Sequence, residues 1–395
     1  MLFRPPNLEF YSLDRIAFGV LVFTVLLRAF ALRQSLWVAG PVTWPMLALV
    51  ILAFAGVIGQ PYDAATWSLF AAKWVVPFVL YHLAGFAFED EAALRWFEAF
   101  ALITLAYLIF IAIAFLIGAR ELVFPSFILD EGLGIHADRA RGPFLQAVAN
   151  GVTLNMLGLL ALDSFRRKRL RGILALLFLF AFPIAILATK TRAVWLSSAA
   201  SLLVLLVVCR DSRILRACNG MVLMLVLGTL VAVSLATSDG GLSSRLEDRG
   251  PVDYRVAVYD AGWQMFMEKP LFGWTPSKIQ PELSSRISGF NVDTFILHNT
   301  YLEIAVEHGL LGLALYLWVI VDLFRLGRKR LPTARAGSGG FLDQQFRALW
   351  PLIVLVFILN ASFVVMNYQF VSGLLFTLAG ILAAQNRRAE IEYAS

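Results

Sequence analysis

Residues 166–216 read RRKRLRGILALLFLFAFPIAILATKTRAVWLSSAASLLVLLVVCRDSRILR. Two apolar runs, at 172–188 and 193–209, lie between two clusters of basic residues. A helix needs about 20 mostly apolar residues to cross the hydrocarbon core of a bilayer, and the cytoplasmic loops of membrane proteins collect Lys and Arg. The segment therefore predicts two membrane-spanning helices joined by a short turn on the outer side, at 189–192.

The composition of the whole chain points to the same class of protein. Of the 395 residues, 59% are hydrophobic and only 15% are charged, whereas soluble domains carry roughly 45–50% apolar and about 25% charged residues. Cytoplasmic loops explain the net charge of +6, so no nucleic-acid partner is expected. The only cysteines, Cys209 and Cys218, lie near predicted membrane boundaries and indicate neither a disulfide framework nor a zinc site.

Eleven apolar spans predict an all-α polytopic membrane protein with 11–12 transmembrane helices. It forms a single transmembrane domain over 1–395, with one large periplasmic loop containing short helices inserted at 238–298. Basic clusters at 166–171, 210–216, 325–330 and 386–388 set the orientation. Eleven spans place the N-terminus outside, whereas a twelfth span or a re-entrant segment near the N-terminus would place it inside. The predicted spans are 13–32, 43–59, 66–87, 99–118, 144–163, 172–188, 193–209, 219–237, 299–324, 346–366 and 369–385.

The periplasmic loop contains a predicted amphipathic helix, YRVAVYDAGWQMFMEKP at 254–270. Amphipathic aromatic side chains concentrate at membrane surfaces, so its aromatic residues and those of the following turn are expected there. They are Trp263, Phe266, Phe272 and Trp274. The helix is also a candidate lid that admits substrates and then excludes water. Its expected hinges are Gly240–Gly241, Pro270 and Gly273.

Lys190 and Arg192 lie in the short outer turn, against the positive-inside trend. One interpretation is that both side chains snorkel to lipid phosphates. The other is an anion site, because an Arg guanidinium offers two parallel donors to phosphate oxygens.

Arg255 begins the loop helix, shortly after Arg245 and Arg249. It either binds an anion or forms salt bridges with the acids nearby. Those acids are Glu247, Asp248 and Asp253.

The sequence HNTYLEIAVEHGLLG at 298–312 opens the ninth predicted span. Asn299, Glu303 and Glu307 share one helical face, and carboxylates inside an apolar helix require a cavity or partners. His298 at the mouth of the span is a candidate catalytic residue, with the other three as substrate contacts. A metal site formed by His298, Glu303, Glu307 and His308 is an alternative, although Glu307 and His308 point to different faces.

The segment ADRARGPFLQAVANG at 137–151 opens the fifth span. Arg139 and Arg141 lie at its outer mouth and are candidate substrate contacts, as is Lys190. The polar residues within the span either bond helices together or line a route for a polar substrate. They are Gln146, Asn150 and Asn155.

Four of these segments, in the same order, resemble the bacterial O-antigen ligase and polymerase superfamily of membrane glycosyltransferases. They are RGPFLQAVANG at 141–151, TKTRAVWL at 189–196, YRVAVYDAGWQMFMEKPLFGW at 254–274 and HNTYLEIAVEHGLLG at 298–312. The last is the most specific and is similar to the family's signature with His-Asn at its start and two glycines at its end. The family often has an Asn-Pro pair where this chain has GPFLQAVA.

The resemblance implies an inner-membrane enzyme that faces the periplasm and uses neither a metal nor another cofactor. The implied donor is an undecaprenyl-diphosphate-linked glycan, and the implied acceptor is lipid A–core or a second lipid-linked glycan. The family's two essential arginines and its histidine correspond to Arg192, Arg255 and His298. The arginines would stabilise the departing diphosphate, and the histidine would take the proton of the acceptor hydroxyl. The single large loop favours an O-antigen ligase, with an O-antigen or exopolysaccharide polymerase as the alternative.

Other classes of protein fit parts of the pattern. A transporter or flippase for a lipid-linked anion would use outer arginines, but the sequence shows no repeated half and no paired broken helices. A membrane scaffold would not need His298 beside two acids. No Walker-type or dinucleotide-binding glycine motif occurs, which argues against an ATP-driven pump and a sugar-nucleotide transferase. Convergence of Arg192, Arg255 and His298 would favour the transferase.

Overall fold

The computed structural model describes residues 13–33, 35, 40–238, 250–290, 292, 294–328 and 340–394. All regular secondary structure within these residues is helical. Six helices are long and apolar enough to cross a membrane, and five shorter apolar helices accompany them. Each predicted span overlaps one of these helices, so the prediction of an all-α polytopic membrane protein is confirmed.

The helices follow one another along the chain, with longer connections after the fourth, eighth and ninth of the eleven apolar helices. They are α1 (Leu13–Ala31), α2 (Thr43–Ile58), α3 (Ala64–Ala87, with a π-helical turn at Ala71–Val75), α4 (Glu91–Leu116), α5 (Ala147–Arg166), α6 (Gly172–Ala188), α7 (Arg192–Val208), α8 (Ser212–Ser238), α9 (Gly250–Glu268), α10 (Pro276–Arg286), α11 (Thr300–Leu326), α12 (Trp350–Ala361) and α13 (Gln369–Ala394).

Aspartate side chains cap the beginnings of α3 and α4. The Asp90 carboxylate accepts a hydrogen bond of 2.7 Å from the amide of Ala93, which satisfies one of the free N–H groups at the start of α4. Asp63 caps α3 in the same way, accepting from the amide of Thr66 at 2.8 Å. The span predicted to begin at residue 99 therefore starts as a helix at Glu91, because the cap extends the helix beyond its apolar run.

Helix α5 lies at the centre of the bundle. Every residue from Ala147 to Ser164 is buried, and the helix packs against α4, α6, α7 and α12. Gly158 faces the ring of Phe182, which a Cβ atom at that position would strike. Small residues of this kind let neighbouring helices approach closely in a membrane.

Buried ion pairs fix the C-terminal end of α5. Arg166 and Arg167 bridge Asp163 at 2.6 and 2.8 Å. Arg167 also pairs with Glu98 of α4 at 2.5 Å, and Arg166 pairs with Asp343 ahead of α12 at 2.8 Å. Removing one partner of such a pair would leave an uncompensated buried charge, so these contacts hold three segments together.

The described residues of 250–297 pack, together with Val306 of α11, into a small hydrophobic core. Trp274 is buried in it, and its indole N–H donates to the carbonyl oxygen of Met265 at 2.7 Å. The expectation that Trp274 lies on the membrane surface is therefore wrong, because the indole finds its partner inside this core. Trp263 and Phe272 are exposed, as an interfacial position requires.

Helix α11 is broken at Gly309, which has a φ of +64°. The turn after α9 fills the break. The amide of Leu310 donates to the carbonyl oxygen of Pro270 at 2.7 Å, and the amide of Trp274 donates to that of Val306 at 2.8 Å. Two separate sequence segments, PLFGW and HNTYLEIAVEHGLLG, therefore interlock through their backbones.

The structure describes two of the expected hinges of the loop, Pro270 and Gly273. Gly240 and Gly241 lie outside the described residues. Pro270 and Gly273 lie against the broken part of α11, where a Cβ atom on Gly273 would meet the backbone of Val306. Because hydrogen bonds hold this end of α9 to the bundle, hinge motion there would have to break them.

Candidate active site

The segment between α4 and α5 meets the turn before α7 at one end of the bundle, which we call the loop end. The amide of Ala140 donates to the carbonyl oxygen of Ala188 at 3.1 Å, and Lys190 Nζ donates to that of Asp138 at 3.1 Å. Arg139 is partly exposed and lies 3.8 Å from the Asp138 carboxylate. Lys190 and Arg139, two of the predicted contacts, thus lie close together.

His298 occupies a left-handed backbone conformation, with φ of +49°, immediately before α11. The side-chain oxygen of Asn299 accepts hydrogen bonds from the amides of Tyr301 and Leu302 at 2.9 and 3.1 Å and so caps α11. The hydroxyl of Tyr259, on α9, donates to the carbonyl oxygen of His298 at 3.1 Å. Two helices therefore fix the backbone that presents this half-buried imidazole.

Two basic groups act electrostatically on the His298 imidazole. Burial, the charge of Arg255 and the imidazole of His136 together lower the pKa of His298 below its usual 6.5. The ring of Tyr254 lies edge-on, with its centroid 6.0 Å from that of the imidazole. His298 is therefore neutral at pH 7, and a ring nitrogen carries a lone pair that can accept a proton.

His136 is a site residue that the sequence interpretation missed. It lies on the segment between α4 and α5, three residues before Arg139. The chain contains only four histidines, and this one directly precedes a segment already chosen for its arginines. That combination was a usable signal, but only the tertiary structure shows that His136 acts electrostatically on His298.

Arg192 and Arg255 both have exposed side chains. Neither guanidinium forms a hydrogen bond or an ion pair with any residue that the structure describes, Asp253 included; Arg245, Glu247, Asp248 and Arg249 lie outside those residues. Arg192 is the first residue of α7, where the partial positive charge of the helix N-terminus adds to its own. An unpaired cation at this position favours an anion nearby.

Helix α12 links Arg192 to His298 indirectly. Asn360 Nδ2 donates to the hydroxyl of Ser197, on the second turn of α7, at 2.9 Å. Two residues later, the carbonyl oxygen of Ser362 accepts from Asn299 Nδ2 at 3.3 Å. The charge of Arg255 thus acts on His298, and hydrogen bonds through α12 hold the helix of Arg192 to the residue that follows His298.

Glu303 and Glu307 face Lys73 of α3. Lys73 Nζ lies 2.9 Å from Glu303 Oε2 and 2.8 Å from Glu307 Oε2, and all three side chains are largely buried. Lys73 belongs to the π-helical turn Ala71–Val75, an irregularity that is frequent at functional sites. The sequence interpretation missed Lys73, although a lone Lys inside the apolar run 66–87 is itself a signal.

The alternative metal site does not assemble. His308 Nε2 lies 3.7 Å from Glu307 Oε2, and its ring packs against Trp74, away from the turn that holds His298. Among the described residues, no group of three or more His, Cys, Asp or Glu side chains is arranged to hold a metal ion. Lys73 instead balances the two carboxylates.

Arg141 is fully buried. Its guanidinium donates to the carbonyl oxygen of Ile128 at 3.0 Å and to those of Asp130 and Leu133. These contacts occupy the guanidinium N–H groups that the sequence predicts would bind the substrate. Their geometry favours a role in shaping the segment between α4 and α5, which carries His136.

The polar residues of α5 bond neighbouring segments. Asn150 Nδ2 donates to the carbonyl oxygen of Ala140 at 2.8 Å. Asn155 Nδ2 donates to the carbonyl oxygen of Val194 and to the hydroxyl of Ser197, both at 3.2 Å. Of the two interpretations left open by the sequence, the structure thus shows bonding for Asn155, which joins α5 to α7, and for Asn150, which joins α5 to the segment before it.

Residues 174–317 match the family model described as O-antigen ligase. This segment is similar to O-antigen ligase domains. The match confirms the resemblance to the O-antigen ligase and polymerase superfamily, and its range includes Arg192, Arg255 and His298. No curated protein matches the chain.

An O-antigen ligase domain implies a glycosyltransferase-like enzyme of the ligase or polymerase type, acting on lipid-linked glycans. The matched range begins in α6 and ends within α11. Lys73, His136 and Arg141 lie outside it, and they reach the domain through contacts that the fold creates.

Proposed function

We propose that this protein is an O-antigen ligase. It transfers a glycan from an undecaprenyl-diphosphate carrier to a sugar of lipid A–core at the periplasmic face of the inner membrane, with neither a metal ion nor another cofactor. The proposal rests on one observation: the half-buried imidazole of His298 has a pKa lowered in part by the charge of Arg255, a guanidinium without a partner among the described residues. A base next to an unpaired cation suits a reaction in which a hydroxyl loses a proton and a diphosphate leaves as an anion.

In the proposed reaction, the acceptor hydroxyl oxygen attacks the anomeric carbon of the donor glycan. The new glycosidic C–O bond forms as the C–O bond to the diphosphate breaks, and the leaving diphosphate keeps the electron pair. The hydroxyl proton passes to the free ring nitrogen of His298 and then to solvent. Arg255 and Arg192 stabilise the negative charge that develops on the diphosphate.

The remaining candidates have supporting roles in this proposal. Lys190 and Arg139 lie at the loop end, where they attract the anionic donor. Asn299 sets the start of α11, and Glu303 and Glu307 hold its first turns against α3 through Lys73. The acids therefore act on the reaction through the position of His298.

The test uses purified protein and a lipid-linked glycan, with EDTA present and ATP absent. We expect transfer to lipid A–core, because the donor is already activated and guanidinium groups replace a cation. His298→Ala should lower kcat about 10²–10⁴-fold, the usual worth of a general base. Lys278→Gln, which removes an exposed cation from α10 in the same loop, serves as the control and should retain full activity.

The acceptor decides between the two family activities. Elongation of a second lipid-linked repeat, without transfer to lipid A–core, would replace the ligase proposal with a polymerase. A His298→Ala variant of normal abundance and wild-type activity would remove the histidine from the mechanism. Loss of activity in EDTA that a divalent ion restores would contradict the metal-independent reaction.

A further inference from the structure

An open cavity of about 470 Å³ lies where α5 ends and where α6 and α8 begin. This is the opposite end of the bundle from His298, and we call it the basic end. Four cationic side chains line the cavity: Lys168, Arg171, Arg213 and Arg216. Its volume falls within the usual range of roughly 300–1,000 Å³ for ligand pockets.

The four cations are available to a ligand. Their neighbours Arg166 and Arg167 are neutralised by buried carboxylates. By contrast, the residues that the structure describes provide no carboxylate partner for the side chains lining the cavity, and the Arg216 Nε–H donates only to the carbonyl oxygen of Ser212. The basic end thus holds one set of cations whose ion pairs fix helices and, around the cavity, a second set with no carboxylate partner among the described residues.

The rest of the cavity wall is apolar and includes Phe165 and Leu179. The helices that form it continue outward with exposed apolar side chains, such as Leu177 on α6 and Leu223 on α8. In a membrane these surfaces contact acyl chains. A ligand of this cavity therefore meets positive charge at one end and a lipid-facing apolar wall at the other.

We propose that this cavity binds an anionic phospholipid of the surrounding membrane. The headgroup phosphate lies among Lys168, Arg171, Arg213 and Arg216, and the first part of an acyl chain follows Phe165 and Leu179. Basic pockets between helices at a cytoplasmic membrane surface suit this class of lipid, because the guanidinium fork matches phosphate oxygens. A free phosphate would satisfy the cations but would leave the apolar wall without a partner.

The test measures binding of phosphatidylglycerol to the full chain in zwitterionic detergent by native mass spectrometry. Arg213→Gln/Arg216→Gln is compared with Arg169→Gln/Arg210→Gln, which removes equal charge from exposed positions at the same end that do not line the cavity. A cation near an anionic lipid surface is worth about fivefold in affinity. The cavity variant should therefore bind about 25-fold more weakly, and the control should bind within about threefold of the wild type.

A charge-neutral variant, Leu179→Trp, narrows the cavity and should also weaken lipid binding. Thermal unfolding without lipid verifies that each variant is folded, and the single variants Arg213→Gln and Arg216→Gln replace the double variant if it is not. Equal losses in the cavity and control variants would overturn the proposal. So would equal binding of phosphatidylcholine, or displacement of the lipid by inorganic phosphate, which would indicate a site for a free anion.

Discussion

At the scale of single residues, the lowered pKa of His298 predicts how the reaction depends on pH. Protonation removes the base, so activity should fall only below the usual histidine pKa of 6.5. Arg255→Gln removes one cause of the lowered pKa. The pKa of His298 should therefore rise, and the acidic limb of the kcat/KM profile should move to higher pH. An acidic limb that stays in place, or moves to lower pH, would show that another group titrates.

Arg192 permits a test of geometry separately from charge. If its guanidinium donates to two phosphate oxygens, Arg192→Lys keeps the charge and loses the fork, so kcat should still fall at least tenfold. In Arg192→Ala, kcat should fall further, by about 10²–10³-fold, as expected when a hydrogen-bond donor to a developing anion is removed. Kinetic assays at saturating donor measure both variants. Full activity of the Lys variant would favour simple charge attraction or snorkelling.

At the scale of helices, the contact of Lys73 with Glu303 and Glu307 should dominate the pairing of α3 with α11. Lys73→Met would leave two buried carboxylates without a counter-ion and should destabilise the protein by about 3–5 kcal/mol. Adding Glu303→Gln/Glu307→Gln should restore most of that stability, because the uncompensated charge is gone. Thermal unfolding in detergent measures these differences.

Arg95 provides the matched control for that experiment. It pairs with Glu91 at 3.6 Å, and both side chains are mostly exposed, so Arg95→Met should change stability by about 0–1 kcal/mol. A Lys73→Met variant as stable as Arg95→Met would mean that water or another group already compensates the two acids. The account of how the start of α11 is held would then have to be abandoned.

At the scale of the whole molecule, the orientation of the bundle is open to chemical labelling. A Cys209→Ser background leaves only the fully buried Cys218. In that background, a membrane-impermeant maleimide should label Glu121→Cys, on the loop end, in intact spheroplasts. It should label Arg169→Cys, on the basic end, only after lysis, because basic loops stay in the cytoplasm. The reverse pattern would place His298 in the cytoplasm and would contradict a periplasmic transfer.

The amount that the sequence predicts differs between parts of the chain. Apolar runs locate the helices because each helix must satisfy its own backbone hydrogen bonds in lipid, so span positions follow from local composition. His298 and Arg255 were also chosen from sequence, since unusual polar residues beside apolar runs stand out. Lys73 and His136 were missed because each lies far along the chain from His298 and gains its meaning only from its neighbours.

The sequence alone determined the fold class, the approximate span positions, and the identity of the basic loops. These follow from interactions between each segment and the lipid or water around it, and they do not depend on which helices meet. Only the tertiary structure decided that Lys73 neutralises Glu303 and Glu307. It also decided that the Arg141 guanidinium donates to three backbone carbonyl oxygens, and that the PLFGW turn fills the break in α11 at Gly309. Those outcomes depend on packing between distant segments, because a buried charge or a broken helix accepts whichever partner the fold brings within hydrogen-bonding distance.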